Sequence, residues 1–239
     1  MAHGVVRGVL PCCRKGNDMS QSEPDPHFLQ HPEVKAIFDS ISDLLNESDR
    51  GTVLVCATHV DVHLERLYQK VAPSGVLQHK RRSLLTYPGP LSTLSARTDV
   101  AVLVGLISVR LGNAINCLRR LRNNVAHSSA SFRLRDHWKD VRGAYNLGPE
   151  LPAAINRMAL RVLLDNAVTR FLKIRDPLDE NRLYFETPGQ VLDYLHEHPD
   201  ILQPLEERAP RLELALGTAM ICGMIVLHRE DHGRKKNAR

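Results

Sequence analysis

The residues of this chain that could do chemistry lie together in the segment 118–128, where Arg122 and His127 are five positions apart. A histidine, with an ordinary pKa of about 6.5, can take a proton from a ribose 2′-hydroxyl or give one to a leaving oxygen. An arginine can stabilise the negative charge on an attacked phosphate. Asn123 directly follows the arginine. Such a pair could cleave RNA without a metal ion.

The helix predicted to carry this pair also constrains it. Five positions along a helix turn two side chains about 140° apart, so Arg122 and His127 do not share a face of a regular helix. Arg122 lies about 40° from Leu118 in an apolar stripe, whereas His127 lies about 180° from it, beside Arg120, a candidate binding residue. The pair could converge only if the helix ends near Ala126 or if a second chain completes the site. The alternative is a surface or helix-terminal histidine without a catalytic role.

Three charged residues fall on the apolar stripes of predicted helices: Asp61, Arg97 and Arg122. A buried guanidinium costs several kcal/mol unless it is paired and hydrogen-bonded. We therefore predict that Asp61, with Glu65 or Asp99 in reserve, neutralises Arg97 or Arg122 in the core. Such a network would either fix the register of the helices or open a polar active site between them.

The spacing of apolar residues predicts an all-α protein. These residues recur every three or four positions in segment after segment, and no segment alternates convincingly with period two. The short junction 105–108 predicts that the helices on either side pack as antiparallel neighbours in a bundle. Residues 72–90 are predicted to form a loop, because prolines and glycines interrupt them. The predicted helices are 32–46, 49–71, 91–104, 109–126, 134–145, 153–175, 188–196, 201–207 and 212–228.

The composition divides the chain into four parts. Residues 1–28 are rich in Gly, Pro and Ser, and we predict that they are disordered. Residues 29–176 are predicted to form the helical core. Residues 177–228 follow a helix-breaking Asp-Pro step and are predicted to form a helical C-terminal extension. Residues 229–239 are basic and are predicted to be a disordered tail.

The basic pI of about 9.1 does not by itself indicate a nucleic-acid-binding protein. Residues 1–19 carry a net charge of +2 and residues 228–239 a net charge of +3, which together equal the +5 of the whole chain. The body between them is formally neutral. This distribution argues against direct DNA binding and leaves RNA as a possible partner.

The sequence indicates no membrane span, metal site or cofactor. The most apolar late segment, 212–227, has about 16 residues, fewer than the roughly 20 that cross a bilayer. The five cysteines lack zinc-type spacing, and no Gly-rich nucleotide-binding motif is present. Cys56, Cys117 and Cys222 fall in apolar helical patterns, where we expect buried free thiols. We therefore expect a soluble, cytoplasmic protein that binds no cofactor.

Four segments of the chain carry a resemblance to a known family. They are residues 48–51 (SDRG), 89–97 (GPLSTLSAR), 105–108 (GLIS) and 118–128 (LRRLRNNVAHS). Together, over about residues 47–132, they resemble the mannitol operon repressor (MltR-like) family, which itself looks like a branch of the HEPN superfamily.

This resemblance implies an all-helical bundle and negative regulation of transcription, of the mannitol-operon type, through protein–protein contacts and with a homodimer expected. Many HEPN proteins are metal-independent endoribonucleases that use an Arg and a His at a similar spacing, often at a dimer interface. Arg122, Asn123 and His127 match that pattern. A regulator is therefore the first hypothesis, and a ribonuclease is the alternative.

Overall fold

The computed structural model describes residues 28–40, 44, 46–128 and 131–237. It is mainly helical, which confirms the all-α prediction. The α-helices are α1 (Pro32–Asp39), α2 (Asp49–Val71), α3 (Gln78–Leu85), α4 (Leu94–Leu103), α5 (Val109–His127), α6 (Trp138–Ala144), α7 (Leu151–Phe171), α8 (Pro188–Glu197), α9 (Gln203–Glu206) and α10 (Ala209–Asn237). Short 3₁₀ helices span Phe28–Gln30, Leu134–His137 and Pro199–Leu202.

The start of the described chain differs from its prediction in two respects. The predicted disordered tail lies outside the described residues except for Phe28, which is buried. Helix α1 begins with Pro32, as proline suits the first helical turn, but it ends at Asp39 rather than at residue 46.

Side-chain caps set where several helices begin. The hydroxyl oxygens of Ser48, Thr93 and Ser108 accept hydrogen bonds from backbone amides in the first turns of α2, α4 and α5. A cap of this kind satisfies an amide that the helix itself leaves unpaired. Between α4 and α5, Gly105 has a φ of 70°, which favours glycine, and the chain turns back so that the two helices pack side by side.

Helix α10 lies at the centre of the core, although the sequence predicts it as part of an extension. It packs along α2 and also contacts α1, α6 and α7. It continues to Asn237, beyond the predicted end at residue 228, because Arg229 and Glu230 pair with Glu33 and His31 near α1. The core side chains that α10 contributes are Leu212, Leu214, Leu216, Met220, Ile221, Ile225 and Val226.

One helix in the described part of the chain has the length and composition to cross a membrane. It is Ala209–Arg234, within α10, with a mean hydropathy of 1.5. This apolar stretch is longer than the sequence predicts. Within its most apolar window, 67% of the residues are buried inside the protein, as in the core helices of soluble proteins, so length and composition are only weak evidence for a span.

Two elements are missing from the sequence prediction. Helix α3 falls in the predicted loop, because its mostly polar and exposed residues give no apolar stripe. A β-hairpin joins β1 (Arg175–Asp176) to β2 (Asp179–Leu183), with Arg175 opposite Leu183. Its strands are too short to show a clear alternation. The hairpin leads to a small second cluster, in which residues of α8 pack against the end of α7.

Candidate functional site

Arg97 lies in the core and is held by two carboxylates of α2. Its side chain is only 5% exposed. Its Nη1 lies 2.7 Å from Asp61 Oδ1, and its Nη2 lies 3.2 Å from Glu65 Oε2. The structure therefore brings together three of the residues that the sequence predicts as a network. Asp99, the other reserve, is instead exposed and accepts a hydrogen bond from Ser95.

Backbone carbonyls complete the surroundings of the Arg97 guanidinium. Its Nε donates to the carbonyl of Leu91 at 2.8 Å, and its Nη2 donates to that of Leu85 at 2.7 Å. The hydroxyl of Tyr68 donates to the carbonyl of Arg97 at 2.6 Å, and burial raises the pKa of Tyr68 to about 12. These bonds tie α2 to the end of α3 and the start of α4. The network therefore fixes the position of elements, as the first of the two sequence interpretations requires.

Arg122 does not lie in the core, which corrects the prediction from its helix face. The residue is exposed, and among residues 28–40, 46–128 and 131–237 it pairs with no carboxylate. The reason is the length of the neighbouring helix. Arg119 donates a hydrogen bond to Ser95 in the first turn of α4. Arg122 lies one turn further along α5, beyond the beginning of α4, so α4 has no residue there to pack against it.

The candidate catalytic pair is not assembled within one chain. Helix α5 continues through His127, since the amide of Ser128 still donates to the carbonyl of Asn124 at 3.0 Å. Arg122 and His127 therefore remain about 140° apart around a regular helix. Asn123 and His127 are both exposed. A site that used the pair would need a second chain to bring its members together.

The outward side of α5 carries a different contact. Arg120 is exposed, and its Nε donates to Asp140 Oδ1 of α6 at 2.8 Å. Its Nη2 also lies 3.0 Å from Cys117 Sγ. Arg120 is therefore at the surface rather than in a buried network, and it links α5 to α6.

Several residues in the family-like segments have structural roles. Ser48, Thr93 and Ser108 are helix caps, and Arg97 ties elements together in the core. Gly89 fits because a Cβ atom there would collide with backbone atoms at the end of α3. The resemblance therefore rests largely on residues that shape the fold, and only part of it bears on chemistry.

An apolar groove of about 780 Å³ lies beside the Arg97 network, between the end of α2, α3 and the turn after α4; we call it the α3 groove. Arg97 fixes one wall of it, because it binds the carbonyl of Leu85. Lys80 and Arg82 are exposed on α3 at its side, and Arg81 lies within it with an Nε that has no hydrogen-bond partner. Its main apolar lining residues are Tyr68, Val71, Val76, Leu84, Val104 and Leu106.

His63 belongs to a second charged cluster, which the sequence analysis missed. It is buried on α2, with its Nδ1 3.8 Å from Glu33 Oε1. Glu33 also accepts from Arg229 of α10 and lies 3.6 Å from Arg66. The sequence held one indication of this cluster, since the spacing of His63 places it on the buried stripe of its helix. Glu33 and Arg229, in contrast, are 196 residues apart, and no local pattern connects them.

We expect His63 to make the fold sensitive to acid between about pH 6.5 and pH 4. Burial, helped by Arg66, lowers the pKa of His63 to about 4, although Glu33 opposes this. Arg229 and His59 add smaller effects in the same direction as burial. The folded state therefore resists protonation that the unfolded chain accepts. Stability present above pH 6.5 should fall by up to about 2 kcal/mol by pH 5, which urea unfolding at the two pH values measures.

The titration of Glu33 does not contribute to the change in stability between pH 7 and pH 5. The hydrogen bond from Arg229 lowers the pKa of Glu33, so its contribution is lost only below the ordinary carboxylate range. His63→Gln should flatten the pH dependence between pH 7 and pH 5. His196→Gln, which changes an exposed histidine of α8, should leave it as it is. An unchanged slope in His63→Gln would show that this histidine is not the cause.

Comparisons with known proteins add no relative to this picture. Among residues 28–40, 46–128 and 131–237, no three His, Cys, Asp or Glu residues are grouped so as to hold a metal ion. No protein-family model, curated protein or solved structure matches the chain.

The described cysteines are free thiols. Cys56 and Cys222 are buried, as predicted, whereas Cys117 is half-buried.

Proposed function

We propose that this protein is a regulator of the mannitol-repressor type, which lowers transcription of a sugar-alcohol operon by binding a protein partner, with the chain as a homodimer in an MltR-like bundle. The observation that carries the proposal is the α3 groove, an apolar surface held in place by the Arg97 network. Exposed apolar surface of this kind marks sites of protein contact. The four family-like segments add support, because two of them, 89–97 and 105–108, contribute caps or walls around this groove.

The lining of the groove defines the chemistry of the partner. Its floor is apolar, and the cations Lys80, Arg81 and Arg82 lie on or beside it. A partner segment that places apolar side chains in the groove and carboxylates against α3 would match both features. We therefore propose an amphipathic, acidic segment as the occupant.

Replacing Val104 by glutamate should abolish repression. The carboxylate would lie in the apolar part of the groove and would repel an acidic partner. A burial cost of about 2 kcal/mol weakens binding more than tenfold. The measurement is the level of mannitol-operon transcript in a host that lacks this protein and is supplied with wild-type or variant chain. Wild-type protein should restore repression, and Val104→Glu should not.

Leu178→Glu is the matched control, since Leu178 is a highly exposed apolar residue at the hairpin, outside the groove. It should repress as the wild type does, and circular dichroism should show that both variants are folded. Repression by Val104→Glu at the wild-type level would rule out the groove. A transcript level unaffected by the wild-type protein would rule out the function.

The second candidate function is a metal-independent ribonuclease completed across a homodimer. The observation that favours it is the exposure of Arg122, Asn123 and His127 at the end of α5, where a second chain can approach. Incubation with total RNA tests it: cleavage should be lost in Arg122→Ala and in His127→Ala. Mixing the two variants should restore about a quarter of the activity, since half of the dimers then hold one intact site of two. Absence of cleavage by the wild type would exclude this candidate.

A further inference from the structure

Trp138, the only tryptophan of the chain, is 52% exposed on α6. Lys139 Nζ lies 5.9 Å from the centre of its ring, and Arg142 Cζ lies 6.0 Å from it. Arg135 precedes Trp138 by three residues through a 3₁₀ turn, a geometry in which residues three apart lie above one another. The indole therefore has cations around it, while about half of its surface stays open to solvent.

The side of α6 that carries Asp140 lies about 160° around the helix from Trp138, and it faces α5. The hydrogen bond from Arg120 to Asp140 joins the two helices on their outward side. Asn124 Nδ2 lies 3.5 Å from His137 Nδ1, which places the start of α6 beside the last turns of α5. We call the surface around Trp138 the basic face, and its members are Arg135, Trp138, Lys139 and Arg142.

The total charge of the chain hides the basic face. Residues 119–142 hold seven arginines and lysines against two aspartates. One of those aspartates, Asp140, is already paired with Arg120. The body of the chain is neutral only because carboxylates elsewhere balance this segment. The neutral sum is therefore no argument against a nucleic-acid ligand at the basic face of α6.

The geometry points to a site for single-stranded nucleic acid on the basic face, with a base stacked on Trp138. An exposed aromatic ring offers a stacking surface to any unpaired base, and the flanking cations can meet the phosphates on either side. A duplex cannot use the ring in this way, because its bases are already stacked on one another. This site goes beyond the proposed regulation through protein contacts, and it involves no cleavage.

Trp138 makes the test direct, because it is the source of all tryptophan emission from the chain. The full-length protein is titrated with a uridine RNA of about 12 nucleotides, with a DNA single strand of the same length and with a DNA duplex. We expect saturable quenching by the single strands and none by the duplex. The logarithm of the affinity should fall with the logarithm of the salt concentration, with a slope of about −0.7 for each phosphate contacted.

Variants separate stacking from charge in the same experiment. Trp138→Ala should weaken the binding of a fluorescein-labelled RNA about tenfold, as measured by anisotropy. The double variant Lys139→Gln/Arg142→Gln should reduce the steepness of the salt slope by about 1.4. The matched control is Arg157→Gln/Arg161→Gln, which removes two exposed cations of α7 away from the basic face and should bind as the wild type does.

Three results would overturn the proposal. The first is no quenching by either single strand at low salt. The second is binding of the duplex as tightly as of the single strands. The third is wild-type affinity in a Trp138→Ala protein that circular dichroism shows to be folded.

Discussion

A chain that ends at Glu207 is expected not to fold, because it lacks α10. That helix contributes five large apolar side chains that are at most 2% exposed: Leu212, Leu214, Ile221, Ile225 and Val226. Burying each of them stabilises a fold by roughly 1.5–3 kcal/mol, or about 10 kcal/mol together. The free energy of unfolding of a typical domain is only about 5–15 kcal/mol. Circular dichroism and urea unfolding of the truncated chain measure the effect.

A shorter truncation is the control for this experiment. Removing residues 235–239 leaves the described contacts of α10 in place and should preserve a cooperative urea transition. Cooperative unfolding of the chain that ends at Glu207 would contradict the central position of α10. The same reasoning bears on partner mapping, since a deletion of residues 177–239 would lose binding through unfolding alone.

Arg97→Met should lower the free energy of unfolding by about 3–5 kcal/mol. The methionine would leave Asp61 and Glu65 without their shared cation, and it would leave the carbonyls of Leu85 and Leu91 without their donor. Buried acceptors that lose a donor keep the full cost of their removal from water. Urea unfolding measures the loss directly.

A series of substitutions distinguishes this network from an ordinary surface ion pair. Arg97→Lys should recover only part of the stability, because an ammonium group cannot reach both carbonyls and both carboxylates as the planar guanidinium does. Asp61→Asn should cost about 1 kcal/mol, since Asp61 is 36% exposed and Glu65 remains. Arg122→Met, on an exposed arginine, should change stability by less than about 0.5 kcal/mol. Equal losses in Arg97→Met and Arg122→Met would contradict the assignment.

The two arginines show how far local sequence reasoning extends. Arg97 and Arg122 both fall on the apolar stripe of their own helix, and only Arg97 is buried. The angle of a residue around its helix follows from spacing alone. Whether a neighbouring helix is long enough to bury a side chain on that face depends on the residue at which the neighbouring helix begins. Here α4 begins at Leu94, and Arg122 lies beyond that end of the helix, where α4 cannot contact it.

Other features depended on contacts between distant parts of the chain. The apolar spacing of residues 212–227 predicts a helix, but it does not show that α2 is the surface on which this helix packs. His63 lies on a predictable stripe, whereas its partner Glu33 and the Arg229 that pairs with Glu33 come from opposite ends of the described chain. The basic face was visible as a local excess of arginine and lysine. The net charge of residues 20–227 is zero, so this total does not show the local excess in residues 119–142.

The position of α10 has a consequence for how the protein is made. During translation α2 leaves the ribosome early, with Val53, Val60 and Leu64 on the face that becomes buried. Its main packing partner, α10, is the last described helix to emerge. Contacts between such distant segments slow folding, and exposed apolar surface on a nascent chain invites aggregation and chaperone binding. The growing polypeptide therefore exposes an apolar face along α2, which is covered only when synthesis reaches α10.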